Sequence, residues 1–191
     1  MNQIAPGDVL LFTDWTLLRL FPPLRAAWAR VGQQALVPVT GRNAQRVLFG
    51  AINVRTGHRV VLCRQSAGGA DARAFLTEVR RRYRKARTIW LLLDRAPAHT
   101  DTKTMQWAAD LHMKLVWLPK QASELNAMDQ LWKELKRLVA ANRQANHIES
   151  LAQQAEDWLL SLTPHEARCK ASILSPNFWL KNLLQNLWRP T

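Results

Sequence analysis

Three aspartates stand where carboxylates can do chemistry. Asp14 closes an apolar run, DVLLFTDW (8–15), and Asp94 closes another, TIWLLLD (88–94). Asp129 lies in the first turn of a helical stretch, between Met128 and Leu131, where the apolar stripe begins. With only 14 acids in the chain, each carries weight. If the three converge, repulsion and desolvation demand neutralising cations. Oxygen-only donors select hard ions, Mg2+ or Mn2+, over zinc. Two such ions about 4 Å apart can clamp the attacking and leaving oxygens of an in-line phosphoryl displacement. Each acid also has a plainer reading. Asp94, in DRAP, suits a turn cap as well as a ligand. Asp14 suits an ordinary strand end, and Asp129 the third position of a helix capped by Asn126. His99, five residues after Asp94, suits a hydrogen-bonding loop histidine.

Composition says what such a site would meet. The 191 residues fit one domain with a small appendage, and 48% apolar content supports a real core. Lys and Arg total 27, giving a net charge of +13. An excess of that size points to a polyanion, first of all nucleic acid, whose phosphates supply most non-specific affinity. No 18-residue apolar run, signal peptide or lipidation motif directs the chain to a membrane. Cys63 and Cys169 are distant in sequence, which suits a reducing cytoplasm.

The elements that must hold the acids follow from periodicity. Residues 8–15 read as a strand, and 16–45, with Pro22, Pro23, Gly32, Pro38 and Gly41, as a long excursion with little regular structure. RVLFGAINV (46–54), RTG and HRVVLCR (58–64) predict a hairpin. Asp71 is placed to cap a helix whose Phe75, Leu76, Val79 and Tyr83 share a face and whose basic run is RRRYRK (80–85). TIWLLLD is the most apolar strand and so the expected central one. A helix over about 102–111, a strand over 114–119 and a helix over 122–142 follow. Residues 148–162 predict an amphipathic helix, and Thr163, Pro164 and Glu166 the start of another. The expected fold class is α/β: a mixed sheet, antiparallel hairpin plus parallel strands, flanked by helices, with extra C-terminal helices.

These motifs resemble a known family. LLLDRAPAHT is similar to the second catalytic block of bacterial insertion-sequence transposases of the mariner superfamily: an apolar strand, Asp, small residues, then His. LVWLPKQASELNAMDQLWKELKR resembles their third block, with the family's third acid falling on Asp129 after an intervening 34 residues. VLLFTDWTLLRLFPPLRAAWARVGQQ resembles the first, with Asp14 as its acid and Trp28 and Gly32 downstream. RVLFGAINVRTGHRVV fits the hairpin that follows, so the resemblance runs from about residue 7 to 142. The tail ARCKASILSPNFWL is also similar to ends of some such transposases. Departures are Asp129 for the commoner Glu, Trp15 after the first Asp, Arg95 for Asn, Ala127 for Pro, and Lys120 to Ser123 for Pro-Tyr-Ser-Pro.

The resemblance implies an RNase H-like, five-stranded fold. Residues 1–145 would be the endonuclease domain and 146–191 a helical extension packed on or beside it. It implies that Asp14, Asp94 and Asp129 bind two Mg2+ ions, replaceable by Mn2+. One ion activates water or a DNA 3′-OH, and the other stabilises the leaving 3′ oxygen. The reaction is cleavage at transposon ends followed by strand transfer, with no covalent enzyme intermediate. Double-stranded DNA, both ends and target, and a second copy in a homodimer are the expected partners. The helix-turn-helix modules usual in the family are not seen ahead of residue 7. End recognition is therefore expected to be weak or supplied in trans by a separate protein, and the location to be the bacterial cytoplasm, on the nucleoid. Arg95, His99, Lys120, Lys133, Lys136 and Arg137 are the candidate DNA contacts, by nearness in sequence to the acids. Two alternatives stay open: a catalytically inert basic DNA-binding remnant, and a ribonuclease H-type nuclease. The latter class generally has a fourth acid, for which Asp101 and Glu134 are the nearest candidates.

Overall fold

The computed structural model describes residues 4, 5, 7–26, 28–34, 36, 37, 39, 41, 43–142 and 145–181. Pro38 and the last part of the C-terminal extension, 182–191, lie outside the described residues. Five strands form one mixed sheet: β1 (Val9–Arg19), β2 (Gln45–Asn53), β3 (Arg59–Arg64), β4 (Ile89–Leu93) and β5 (Met113–Trp117), in the order β3-β2-β1-β4-β5. The β1–β2 and β2–β3 pairs are antiparallel, and β4 runs parallel to both β1 and β5. This is the expected RNase H-like architecture.

Alternation along β1 explains why the sheet is covered on both faces. Leu10, Phe12 and Leu18 point into one apolar layer, together with Leu48 and Ile52 of β2. That layer holds α4 (Ala127–Leu135), α5 (Ile148–Ser161) and α6 (Pro164–Lys170). Leu11, Val47 and Phe49 point the other way, onto α1 (Gly69–Arg82) and α3 (Thr102–Asp110). A single turn, α2 (Pro97–Thr100), follows β4.

Several boundaries differ from the sequence reading. β1 runs on to Arg19 because Thr16, Leu17 and Leu18 pair with β2, so the excursion is shortened to 20–44. The middle place in the sheet belongs to β1, although β4 is buried along its whole length beside it. Asp71 does not cap α1. The cap position is Gly68, and Asp71 sits within the first turn, accepting a 2.5 Å bond from Ser66 Oγ. The helix expected over 122–142 is divided. A 3-10 turn (Ser123–Leu125) precedes Asn126, whose extended backbone restarts the chain as α4, and a π-helical turn (Lys136–Ala140) ends it.

Local chemistry fixes the hairpin and the C-terminal helices. Asn53 Oδ1 accepts from the backbone N–H groups of Arg55 and Thr56, both at 2.9 Å. Gly57 turns with φ +74, and a Cβ there would lie 2.2 Å from the Pro164 carbonyl oxygen. Thr163 and Glu166 form the expected capping box.

Candidate active site

Register places the first two acids side by side. β1 and β4 are paired in parallel from Val9 with Ile89 to Phe12 with Leu92. Two residues further along β1 comes Asp14, on the same face as Phe12, while Asp94 directly follows the last residue of β4 and its charge reaches Asp14. That face carries α4. Asn126, buried at 3% exposure, caps α4 by accepting from Met128 N–H at 3.0 Å. Its Nδ2 donates to the Thr13 carbonyl, also at 3.0 Å. Asp129 takes the third position of this helix, and its charge reaches Asp14. A groove of about 430 Å³ opens along Asp14, Asp94, Arg95, Lys120, Gln121 and Asn126. A larger hollow of about 620 Å³, lined by Leu17, Phe21, Pro22 and Lys136, lies farther along β1 and is mostly apolar.

The acids differ in environment. Burial pushes the Asp14 carboxyl up to about 7; the Trp15 backbone N–H opposes this, while the charges of Asp94 and Asp129 add to it. Asp94 is held below its ordinary value, chiefly by His99. His99 is buried, and with its proton on Nδ1 it donates to Asp94 Oδ1 at 3.1 Å. The Ala96 N–H reaches the same oxygen at 3.1 Å. Turn cap and ligand are therefore compatible roles for Asp94: Oδ1 takes both bonds, and Oδ2 has no hydrogen-bond partner among the described residues. Lys133 Nζ lies 2.8 Å from Asp129 Oδ2, an ion pair without hydrogen-bond alignment. As placed, no three His, Cys, Asp or Glu side chains among the described residues are grouped to hold a metal ion.

The cations sort into two sets. Arg95 lines the groove and lies over Trp117, 5.9 Å from the ring centroid, and Lys120 lines it too. Lys136 is drawn down by burial, against the pull of Asp129 and Asp14. Arg137 is instead bound bidentately to Glu134, at 2.8 and 2.9 Å. Glu134 also accepts from Lys170, and Arg137 first of all pulls its carboxyl down to about 2. Asp101 caps α3 and pairs with Arg73. Both candidates for a fourth acid are thus engaged elsewhere. Spacing does not single out the donor half of Asn126 or the ring of Trp117. The sequence signals for them are an Asn where Ser or Asp would cap equally well, and an aromatic closing a strand.

Comparison with known proteins agrees with this fold. The profile of a DDE superfamily endonuclease family matches residues 9–152. An uncharacterized 39 kDa protein of insertion element IS630 from Shigella sonnei is 24% identical over 165 residues, 86% of this chain and 48% of that protein. The mariner Mos1 paired-end complex with Mg superposes with a TM-score of 0.69 at 14% identity, over 96% of this chain and 57% of the other. The catalytic domain of Mos1 mariner transposase gives 0.62 at 13% identity, over 95% and 84%. At these identities the solved structures establish the fold, and the chain spans about half the length of its IS630 relative. No helix among the described residues is long and apolar enough to cross a membrane. The chain belongs to the DDE superfamily of endonucleases; it is similar to the IS630 protein and has the fold of the Mos1 mariner transposase structures.

Proposed function

We propose that this chain is a transposase catalytic domain that hydrolyses DNA phosphodiesters at transposon ends and transfers the resulting strands, with Mg2+ as cofactor and Mn2+ as a substitute. The observation that carries the reading is the convergence of three charges: Asp14 on β1, Asp94 directly after the adjacent strand β4, and Asp129 in the first turn of α4, with the latter two acting on the first. Three carboxylates suit hard cations. Asp94 Oδ2 and Asp129 Oδ2 lack hydrogen bonds, and the burial and repulsion that raise Asp14 are conditions a cation relieves. When bound, two such ions supply charge neutralisation for the attacking and leaving oxygens of an in-line displacement.

The chain's own groups do the rest. His99 fixes the rotamer of Asp94, as outer partners of metal ligands do. Lys133, paired with Asp129 at 2.8 Å, is the cation that a metal ion held by that acid would release for a phosphate. Arg95, Lys120 and Lys136 rim or adjoin the groove as phosphate contacts. The nucleophile is water in hydrolysis and a DNA 3′-OH in strand transfer. Mos1 transposase is known in a paired-end complex with its left transposon end. By analogy, double-stranded DNA and a second copy of the chain are the proposed partners, in the bacterial cytoplasm. Residues 1–145 are the proposed catalytic unit, with the helices of 146–191 as its extension.

The purified chain with Mn2+ is expected to nick DNA, and Asp94→Ala to abolish nicking while the circular dichroism spectrum stays native. Nicking that persists in folded Asp94→Ala would sink the assignment. The Lys133–Asp129 pair and the ungrouped acids favour one second reading, a DNA binder that does not cut. Salt-sensitive DNA binding without metal-dependent nicking would establish it instead.

A further inference from the structure

Two close contacts decide how α4 sits on the sheet, and both lie beside Asp14. Gly50 is the cross-strand partner of Asp14 in the β1–β2 ladder. It faces α4, and a Cβ built on it would lie 2.5 Å from Met128 Cε and 2.7 Å from Trp132 Cζ2 and Cη2. Both side chains are buried and cannot retreat into solvent. A glycine weakens a strand, so one inside β2 marks a close approach by something else. Here the approaching element is the turn of α4 that carries Asp129, between Met128 and Trp132.

Asn126 supplies the second contact. Capping α4 needs only an acceptor oxygen, which Ser or Asp offers as well. Asn126 adds a donor, spent on the carbonyl of Thr13, the residue before Asp14. Thr13 is itself tied to β2, its Oγ1 donating to the Gly50 carbonyl at 3.1 Å. Gly50, Thr13 and Asn126 thus surround Asp14 with contacts linking β2, β1 and α4.

We propose that Gly50 and Asn126 are positioning residues: Gly50 lets α4 down onto the sheet and Asn126 locks its start, so that Asp129 is seated against Asp14. The proposal rests on the metal-binding reading above. It assigns these residues to the spacing of the acids, not to the formation of the helix or strand they occupy.

The test is Mn2+ titration of the full chain, following free Mn2+ by electron paramagnetic resonance, with circular dichroism as the folding control. Asn126→Ser keeps the cap oxygen and loses the longer amide arm whose Nδ2 reaches the Thr13 carbonyl. It is expected to remain folded and to bind Mn2+ at least about tenfold more weakly, the size of effect seen when outer partners of metal ligands are removed. Gly50→Ala is expected to weaken binding similarly. Adding Met128→Leu and Trp132→Phe to Gly50→Ala, which removes the colliding atoms, is expected to recover most of the lost affinity. Folded single variants with unchanged Mn2+ affinity would overturn the proposal. So would a Gly50→Ala defect that the space-making changes leave in place, or unfolding of both single variants, which would make the residues servants of the fold. If the unchanged chain binds no Mn2+, the metal reading fails and this proposal falls with it. If the unchanged chain binds and the variants bind equally well, only the positioning role fails.

Discussion

Two ionisable side chains drawn in from solvent, the buried Arg59 and the half-buried Asp14, sit on the same sheet and are treated in opposite ways. Arg59, 8% exposed, starts β3 near the hairpin turn. Its guanidinium donates to the carbonyls of Gly57, Leu159, Leu160 and Leu162, closing the end of α5 onto the hairpin. Helix C-termini leave carbonyls unpaired, and a cation there satisfies them and the dipole together. Asp14 is half-buried on β1 with one backbone hydrogen bond, from Trp15, and its carboxyl is raised further by the charges of Asp94 and Asp129, against the opposing charge of His99. One region spends a buried charge on joining parts of the fold. The other holds a half-buried acid beside two like charges with no ion-pair partner in contact, which serves stability poorly and suits a site built to receive a cation.

The sharpest way to break this comparison is Asp14→Asn. If the acid serves catalysis, Mn2+-dependent nicking should fall at least about a thousandfold, as when one member of a catalytic unit is lost. The same variant should be more stable than the parent at neutral pH without metal. A less stable Asp14→Asn would mean that Asp14 supports the fold and that the contrast with Arg59 is false. Arg59→Leu should do the reverse. It leaves buried carbonyls without donors and is expected to cost about 3–5 kcal/mol in urea denaturation. Nicking per folded molecule should be unchanged.

The pH dependence sharpens the same contrast. Folding raises the Asp14 carboxyl from 3.8 to about 7. Between those values the native chain binds more protons than the unfolded chain, so stability falls as pH rises through that window. The loss on this account is at most about 4 kcal/mol, complete above the folded value. Metal-free denaturation from pH 4 to 8 should show the decline in the parent chain and a flatter profile in Asp14→Asn. Saturating Mn2+ should recover stability at the upper end. A parent profile as flat as the variant's would remove the charge from Asp14.

What was legible in the sequence was local. Asp94 and His99 are five residues apart, and their bond is made within one turn. The Thr163 capping box and the hairpin likewise involve near neighbours. The acids themselves were legible because apolar strands must end somewhere, and an aspartate there is conspicuous. Arg59 was not legible, because its acceptors lie about a hundred residues along the chain, in a helix whose docking no periodicity reveals. Nor was Gly50, since a glycine in a strand does not announce which side chains crowd it. Asp71 misled for a related reason: Ser66 offers it a partner, so it is not needed at the cap. The excursion after β1 carries Leu24, Trp28, Val31 and Leu36 exposed, which composition alone does not foretell.

The smallest predicted effect concerns Arg95, at the position where a neutral residue was expected. Its guanidinium lies 5.9 Å from the Trp117 ring centroid at the groove's edge. A cation over an indole is stabilised by about 0.5–1 kcal/mol at exposed sites, so Trp117 narrows where Arg95 can point without burying it. If that direction is toward a DNA phosphate, Arg95→Gln should lower DNA affinity about three- to tenfold and reduce the salt dependence of binding by about one unit of slope. Trp117→Leu keeps the charge, so it should lower affinity less and leave the slope alone. Fluorescence anisotropy across a salt series separates the outcomes. A slope unchanged by Arg95→Gln would place that guanidinium off the phosphate path, and the cationic rim of the groove would then rest on Lys120.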